Sequence, residues 1–351
     1  MSGDNVVAEI ANDTVTVTDE KRCPFYLMNH SAIRSWLERR SLDISRSHAR
    51  ALLNIKGLSY ADEAVIALSV HAATVTDNYW VKTDGEDISY QDVSFQNNDS
   101  FAIAFIGDIT GQEKNTRPSP QLTVGGSLEK AWGMTPQTPG YENDIKWELY
   151  KRENSKEVFN ELFCSYLSEY LGIKSAVYET TAFGIKTYNF AVKENLEDAS
   201  CLFDDDCLNY VVCYKRIKEH FGDSIAMQYV RLLFFDAVAK NTDRHPGNFG
   251  VLRDRSSGKL LSLAPNYDYN QTLFGNTTLN YTSVRKDYLI TEFADLIKTA
   301  KIPFDIPAFD PQAFSEYVPD ALKNKANDSA SYSEALQLVS ERYRLLTREL
   351  R

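Results

Sequence analysis

The stretch NTDRHPGNFG, residues 241–250, together with the tripeptide Tyr267-Asp268-Tyr269 beyond it, decides how this chain is read. These residues place Asp243, Asn248 and Asp268 in the order and approximate spacing of a base, a metal-binding amide and a metal-binding carboxylate for phosphoryl transfer. That chemistry asks little covalent work of a protein. It asks for an acid to orient or deprotonate an attacking hydroxyl, and for hard oxygen donors that hold Mg2+ against a polyphosphate.

Asp-x4-Asn alone is a weak signal, and its plain alternative is a polar turn in which Asp243 and Asn248 cap backbone groups. Context strengthens the chemical reading. An apolar helix over residues 225–238 runs directly into the loop and would hold it rigid, and a strand over residues 260–263 leads to Ala264-Pro265-Asn266-Tyr267-Asp268. Upstream, Gly125-Gly126 lies between an extended segment and Lys130. Without Cβ atoms these glycines let backbone N–H groups approach phosphate oxygens, although an ordinary hairpin turn explains the pair as well. Lys151 ends a predicted strand and Glu161 lies on the helix after it, an arrangement in which a carboxylate steers an ammonium toward phosphates. Lys146 competes for that role, and a solvated lysine with a surface glutamate is the alternative. His245 can donate to a phosphate or simply pack in its loop; Arg244 can pair with a carboxylate or a phosphate.

Composition narrows the classes further. With 351 residues, 43% hydrophobic and 12% aromatic, the chain can build a sizeable core and is long enough for two lobes or domains. A net charge of -11 argues against a surface that tracks nucleic-acid phosphates, so an anion such as ATP needs a local basic pocket and a divalent cation. The five cysteines, Cys23, Cys164, Cys201, Cys207 and Cys213, form no Cys-x2-Cys pair, and the even spacing of the last three matches no common zinc pattern; reduced thiols in a cytoplasmic protein are expected. No uninterrupted segment approaches the roughly 20 apolar residues of a membrane span.

Pattern along the chain predicts an α+β protein of two lobes. Residues 1–22 read as a strand or loose arm. A helical accessory region follows, with Ser31 capping a helix that carries Ile33, Trp36 and Leu37, a second helix stopping at Gly57, and a third through Val65, Ile66 and Leu68. Alternation over residues 79–109, including the run 101–106, predicts strands, then a β-ribbon with a glycine turn at residues 122–130 and a strand over 145–151. Asn154 with Glu157 marks the start of a strong helix ending near Gly172, and short strands at 177–178 and 186–192 precede a mainly helical remainder that ends in an amphipathic tail from residue 331. The expected division is an accessory region at 1–76, a β-rich lobe with the glycine turn at 77–196, and a helical lobe with the catalytic loop at 197–351.

Taken together, these residues resemble the HipA-like serine/threonine kinases, a bacterial branch of the kinase-like fold. The resemblance runs from about residue 77 to about residue 272. It is carried by DNYWVK (77–82), SPQLTVGGSLEKAW (119–132), LYK ending at Lys151, FNELFCSYLSEYLGI (159–173), NTDRHPGNFG and APNYD ending at Asp268. It implies a two-lobed fold, ATP and Mg2+ as cofactors, Asp243 as catalytic base, Asn248 and Asp268 as metal ligands, and Lys151 as the phosphate-binding lysine. Val124, Gly125, Gly126, Ser127, Lys130 and His245 would complete the ATP phosphate site. The adenine would lie along residues 192–196, near Leu196, with either Lys193 or Glu194 at the acidic hinge position. Thr123 stands where such kinases carry an autophosphorylated serine. Partners implied by the resemblance are a protein substrate from translation, such as an aminoacyl-tRNA synthetase, and a small DNA-binding antitoxin. Tyr-Asp-Tyr in place of Asp-Phe-Gly, and Arg244-His245 after rather than before the aspartate, also fit phosphoinositide-type kinases. A lipid or small-molecule kinase and a nucleotide-binding pseudokinase are therefore the competing readings.

Overall fold

The fold follows from a computed structural model that describes residues 1–110, 115–135, 146–203, 209–273, 287–324 and 332–351. By contacts the chain forms two compact units. One comprises Met1–Arg152, Thr181–Glu197 and Leu252–Leu261, and the other Glu153–Thr180, Asp198–Val251 and Ser262–Arg351.

The first unit opens with strands β1 (Ala8–Ala11) and β2 (Thr14–Val17), paired antiparallel. Asn12 and Asp13 between them take φ 48° and 62°, the left-handed pair that a two-residue type I′ hairpin requires. Helices α1 (Phe25–His30), α2 (Ile33–Arg39), α3 (Ala49–Lys56), α4 (Glu63–Leu68), α5 (Tyr90–Val93) and α6 (Phe101–Ile106) follow. Gly57 ends α3 at φ 76°, a conformation that costs other residues more than glycine, as its position in the sequence implied. Two expectations fail here: the Ser31 cap, and the strands read over residues 79–109, where the structure has α5 and α6 and no strand. Ser31 does not cap α2; it closes α1 in the left-handed region, and Ala32 precedes α2 without a capping side chain. The run 101–106 is a helix instead of a strand: six apolar residues are too few to tell one period from the other, and Gly107 at φ 72° ends the element as a helix C-cap.

Strands β3 (Lys130–Met134), β4 (Trp147–Arg152), β5 (Tyr178–Thr181) and β6 (Gly184–Tyr188) form a sheet in the order β3-β4-β6-β5, with β4 antiparallel to both neighbours. A cluster of buried side chains joins Leu52, Ile66, Trp80, Ile103 and Phe105 to Leu122, Val124, Ala131 and Trp132. Residues before position 76 thus share a core with the strand that follows the glycine turn. The acidic stretch after residue 193, to which the sequence assigned no element, starts with strand β7 (Glu194–Asp198). It forms a second sheet with β8 (Gly250–Asp254) and β9 (Leu260–Leu263), in the order β7-β8-β9.

The second unit is mainly helical. Asn154 accepts from the N–H groups of Lys156 and Glu157 while Glu157 accepts from the Asn154 N–H, a reciprocal cap that starts α7 (Ser155–Tyr170). The helix buries Val158, Phe159, Phe163 and Leu167. Helix α8 (Tyr210–Ala239) is broken at Gly222 (φ 84°, ψ 173°), and its second half is buried almost throughout, which fits the apolar run read at 225–238. Helices α9 (Tyr288–Thr299), α10 (Pro311–Tyr317), α11 (Asp320–Lys323) and α12 (Tyr332–Leu350) complete it. Arg342 on α12 is fully buried, donating to the Ala237 carbonyl and to both carboxylate oxygens of Asp287.

Cys23, Cys164 and Cys201 are buried free thiols, but Cys213 is disulfide-bonded, against the expectation of reduced thiols throughout. Among the described residues no helix is long and apolar enough to cross a membrane. Asn154→Ala should destabilise the chain by about 1 kcal/mol in equilibrium denaturation, because it leaves two N–H groups at the start of α7 without their acceptor.

Candidate active site

In the second unit the 241–248 loop is set by the end of α8. Lys240 turns into the left-handed region (φ 54°) and the chain reverses, so the Asn241 N–H and side-chain amide both reach Asp236, at 2.9 and 2.8 Å. Asp236 is completely buried in an otherwise apolar helix. Its charge is met by Arg244, whose Nε and Nη2 donate to the two carboxylate oxygens at 2.9 Å each. Burial works against the Arg244 charge, but Asp236 overrides it and holds the guanidinium above its ordinary pKa. The same guanidinium donates to the Asn248 carbonyl and, at 2.8 Å, to Oδ1 of Asn266. One buried cation therefore ties the helix, both ends of the loop and the segment before Asp268.

This clamp fixes the residues singled out by sequence. Asn248 directs its Nδ2 to the Asp243 carbonyl (2.8 Å) and to Asp243 Oδ2 (3.3 Å), which leaves the amide oxygen as the side-chain atom it can offer a cation. Burial raises the Asp243 carboxyl above its ordinary pKa, and the negative charge of Asp268 adds to this; His245, the Asn248 hydrogen bond and Arg244 pull the other way. The influence of Asp268 means that the two acids share one neighbourhood. Tyr267 Oη also donates to the Gly247 carbonyl at 3.2 Å, joining the two segments. His245 uses its Nδ1 to accept the Gly247 N–H, at 3.1 Å.

Asp268 stands at φ 64°, a left-handed conformation that a non-glycine residue holds only when its surroundings impose it. Those surroundings are the Tyr178 hydroxyl, which accepts the Asp268 N–H at 3.0 Å, and Glu161 Oε2, which accepts the Tyr269 N–H at 2.9 Å. Tyr269 itself is fully buried, its hydroxyl bonded to the Asn266 carbonyl and Ser175. Glu161, read from sequence as a partner for Lys151, also supports the backbone beside Asp268. Lys151 belongs to the other unit.

In the first unit, Thr123 closes a 3-10 turn, Pro120–Thr123, with its hydroxyl donating to the Pro120 carbonyl at 3.2 Å. The glycine turn follows. Gly126 takes φ 84°, a conformation that favours glycine, and Lys130 Nζ lies within 2.6 Å of where a Cβ would stand. Lys130 on β3 lies directly opposite Lys151 on β4, which puts two cations on one face of the sheet beside this turn. Lys151 is buried, whereas Lys146 is exposed. At the expected adenine-binding segment, the Leu196 N–H donates to the Thr76 carbonyl and the Glu194 carbonyl accepts from Arg255, so both groups are already used inside the fold.

Two carboxylates and an amide oxygen suit a hard cation that takes its remaining ligands from phosphates and water. Among the described residues no three His, Cys, Asp or Glu side chains gather as a metal site. Asp236, Asn266 and Tyr178 were not anticipated as parts of the site. An aspartate in the midst of an apolar helix was the one available signal, since a buried charge demands a partner.

No protein-family model and no curated protein matches the chain. Among solved structures it superposes on HipA of the Shewanella oneidensis MR-1 toxin–antitoxin system, solved with HipB and operator DNA. The TM-score is 0.53 at 14% identity, over 100% of this chain and 96% of that one. It also matches the Helicobacter pylori proinflammatory kinase CtkA, with a TM-score of 0.41 at 16% identity, over 66% of this chain and 94% of that one. The fold is the mixed α+β arrangement of that HipA structure.

Two outcomes test this geometry. Asp236→Ala should cost about 3–5 kcal/mol, read by denaturant titration, because it strands the Arg244 charge in the interior. The Asp243 pKa is raised in the folded state, so protonated Asp243 favours folding: its contribution is full below the unfolded carboxylate pKa and is lost as pH rises through the raised value. Metal-free Asp243→Asn should accordingly melt above wild type near neutral pH, with the difference shrinking as pH falls.

Proposed function

We propose that the chain is an ATP- and Mg2+-dependent phosphotransferase that modifies serine or threonine of a protein substrate in the cytoplasm. The supporting observation is the clamped loop of the second unit, where Asp243, Asn248 and the Asp268 segment are held together by one buried arginine. In this reading Asp243 orients the acceptor hydroxyl and takes its proton. The raised pKa makes it a stronger base than an exposed aspartate while burial keeps it from bulk water. Asn248 and Asp268 would hold Mg2+, which when bound neutralises charge on the transferring phosphoryl group. Lys130, Lys151 and the N–H groups of residues 125–127 would bind phosphates, and His245 would stand beside the leaving oxygens.

The acceptor class rests on the resemblance in sequence motifs; a DNA-binding antitoxin as partner rests on likeness of fold to a HipA solved with HipB and operator DNA. Substrates in translation, such as an aminoacyl-tRNA synthetase, come from the resemblance in sequence motifs. We also assign self-modification to Thr123. A phosphate there adds about −1.5 to −2 charges next to the carbonyls that precede the glycine turn and would drive the turn out of place. Its hydroxyl is buried, so transfer requires residues 119–127 to leave their observed position first. A lipid acceptor is disfavoured by the acidic composition.

Labelling of a cell extract with γ-phosphate-labelled ATP should show a modified protein that disappears with Asp243→Ala, with transfer falling by about 10²–10⁴-fold. Undiminished transfer by a folded Asp243→Ala protein would remove Asp243 from the reaction. Mass spectrometry after ATP incubation should find phosphate on Thr123; an unmodified 119–127 peptide would reject self-inactivation.

A further inference from the structure

Arg46 lies in the loop between α2 and α3, in a polar stretch to which no role has been given. Its guanidinium is buried and donates to four carbonyls: Nε to Gly126 at 2.7 Å, Nη1 to Lys130 at 3.0 Å, and Nη2 to Val124 at 2.5 Å and to Gly125 at 2.6 Å. Among the described residues, all its hydrogen bonds go to these backbone oxygens and none to a carboxylate. Burial lowers its pKa to about 10, against the opposing pull of Glu129 and Asp43, so the group stays charged at neutral pH.

The direction of these bonds fixes the other side of the turn. In a planar trans peptide the C=O of one residue and the N–H of the next point in opposite directions. With the carbonyls of Val124, Gly125 and Gly126 drawn onto Arg46, the N–H groups of Gly125, Gly126 and Ser127 face away from it. The Val124 and Gly125 carbonyls share Nη2 and the Gly126 carbonyl takes Nε, so all three meet the edge of one flat cation and the N–H groups behind them line its far side rather than converging on a point. Such a row suits an extended oligophosphate better than a single phosphate. Burying an arginine without a direct ion pair is a costly way to hold a turn, since neutral donors satisfy carbonyls as well. What the charge adds is a fixed positive potential beneath the N–H groups, polarising peptide units that already face outward. Lys130 and Lys151, opposed on β3 and β4, supply further positive charge on the same stretch of chain.

We infer that Arg46 is the positioning residue of an oligophosphate-binding turn at residues 124–127, acting through the backbone without touching the ligand. The inference deepens the proposed phosphotransferase reading and rests on it only for the identity of the ligand as ATP.

The test uses the full-length chain, with tripolyphosphate, ATP and AMP as calorimetric probes, and compares wild type with Arg46→Met, Arg46→Lys and Gly125→Ala. Arg46→Met should lose at least about tenfold in tripolyphosphate affinity and narrow the ATP-to-AMP preference by the same factor. AMP binding should be unchanged, and Arg46→Lys should recover part of the loss. In transfer assays the change should fall on KM for ATP more than on kcat. A Cβ at Gly125 meets no atom within 4 Å, so Gly125→Ala should leave the melting temperature unchanged yet weaken tripolyphosphate binding. That variant decides the matter if the Arg46 variants do not fold. Wild type that fails to bind tripolyphosphate, a Gly125→Ala protein that binds it normally, or an Arg46→Met protein that loses AMP and tripolyphosphate in parallel each overturns the inference. Phosphoryl transfer that persists in Asp243→Ala while the turn variants behave as expected strikes the catalytic assignment and leaves this one standing.

Discussion

The ion pair between Arg244 and Asp236 is the constraint from which the order of the candidate site descends. Asp236 sits on a helix whose neighbours are apolar, so its charge is tolerable only with a cation in contact. Arg244 provides it, and the remaining donors of its planar fork extend the constraint to the Asn248 carbonyl and the Asn266 side chain. A lysine could neutralise the aspartate but could not span four acceptor oxygens on three residues in fixed directions. The loop is short and polar; without this anchor it would be an ordinary exposed connection.

Anchoring of that kind has a consequence for the acids. Asp243 is held in a half-buried place near Asp268, a placement that costs stability and raises its pKa. Asp268 in turn occupies a left-handed conformation imposed by Tyr178 and Glu161. Charge crowding and backbone strain at the same loop pair are what a site for a cation and a polyphosphate would relieve on binding. The first unit has the opposite sign of the same device: two facing lysines and a glycine turn stretched over a buried arginine.

Much of this was legible locally. The Asn154 and Glu157 cap, the Gly57 stop and the apolar helix into the 241–248 loop depend on residues a few positions apart, and local periodicity records them. The acids and the amide of the site were legible because their order in the chain is the order in which the loops supply them. The short helix at Phe101–Ile106 was not, since its length lies below what periodicity resolves. Arg46 was not either, because its acceptor on Gly126 lies 80 positions away and nothing in a polar stretch of serines and arginines marks it for burial. For Glu161 the helix position is visible in sequence, while its acceptance of the Tyr269 N–H was not legible, because it depends on how the 266–270 segment folds back.

The central claim is that Asn248 and Asp268 hold a divalent cation together with a nucleotide polyphosphate. Electron paramagnetic resonance of Mn2+ titrated into the protein with ATP tests it directly. A bound Mn2+–ATP signal in wild type that is lost in both Asn248→Ala and Asp268→Ala is the predicted result. An undiminished bound signal in folded Asp268→Ala protein would contradict the account.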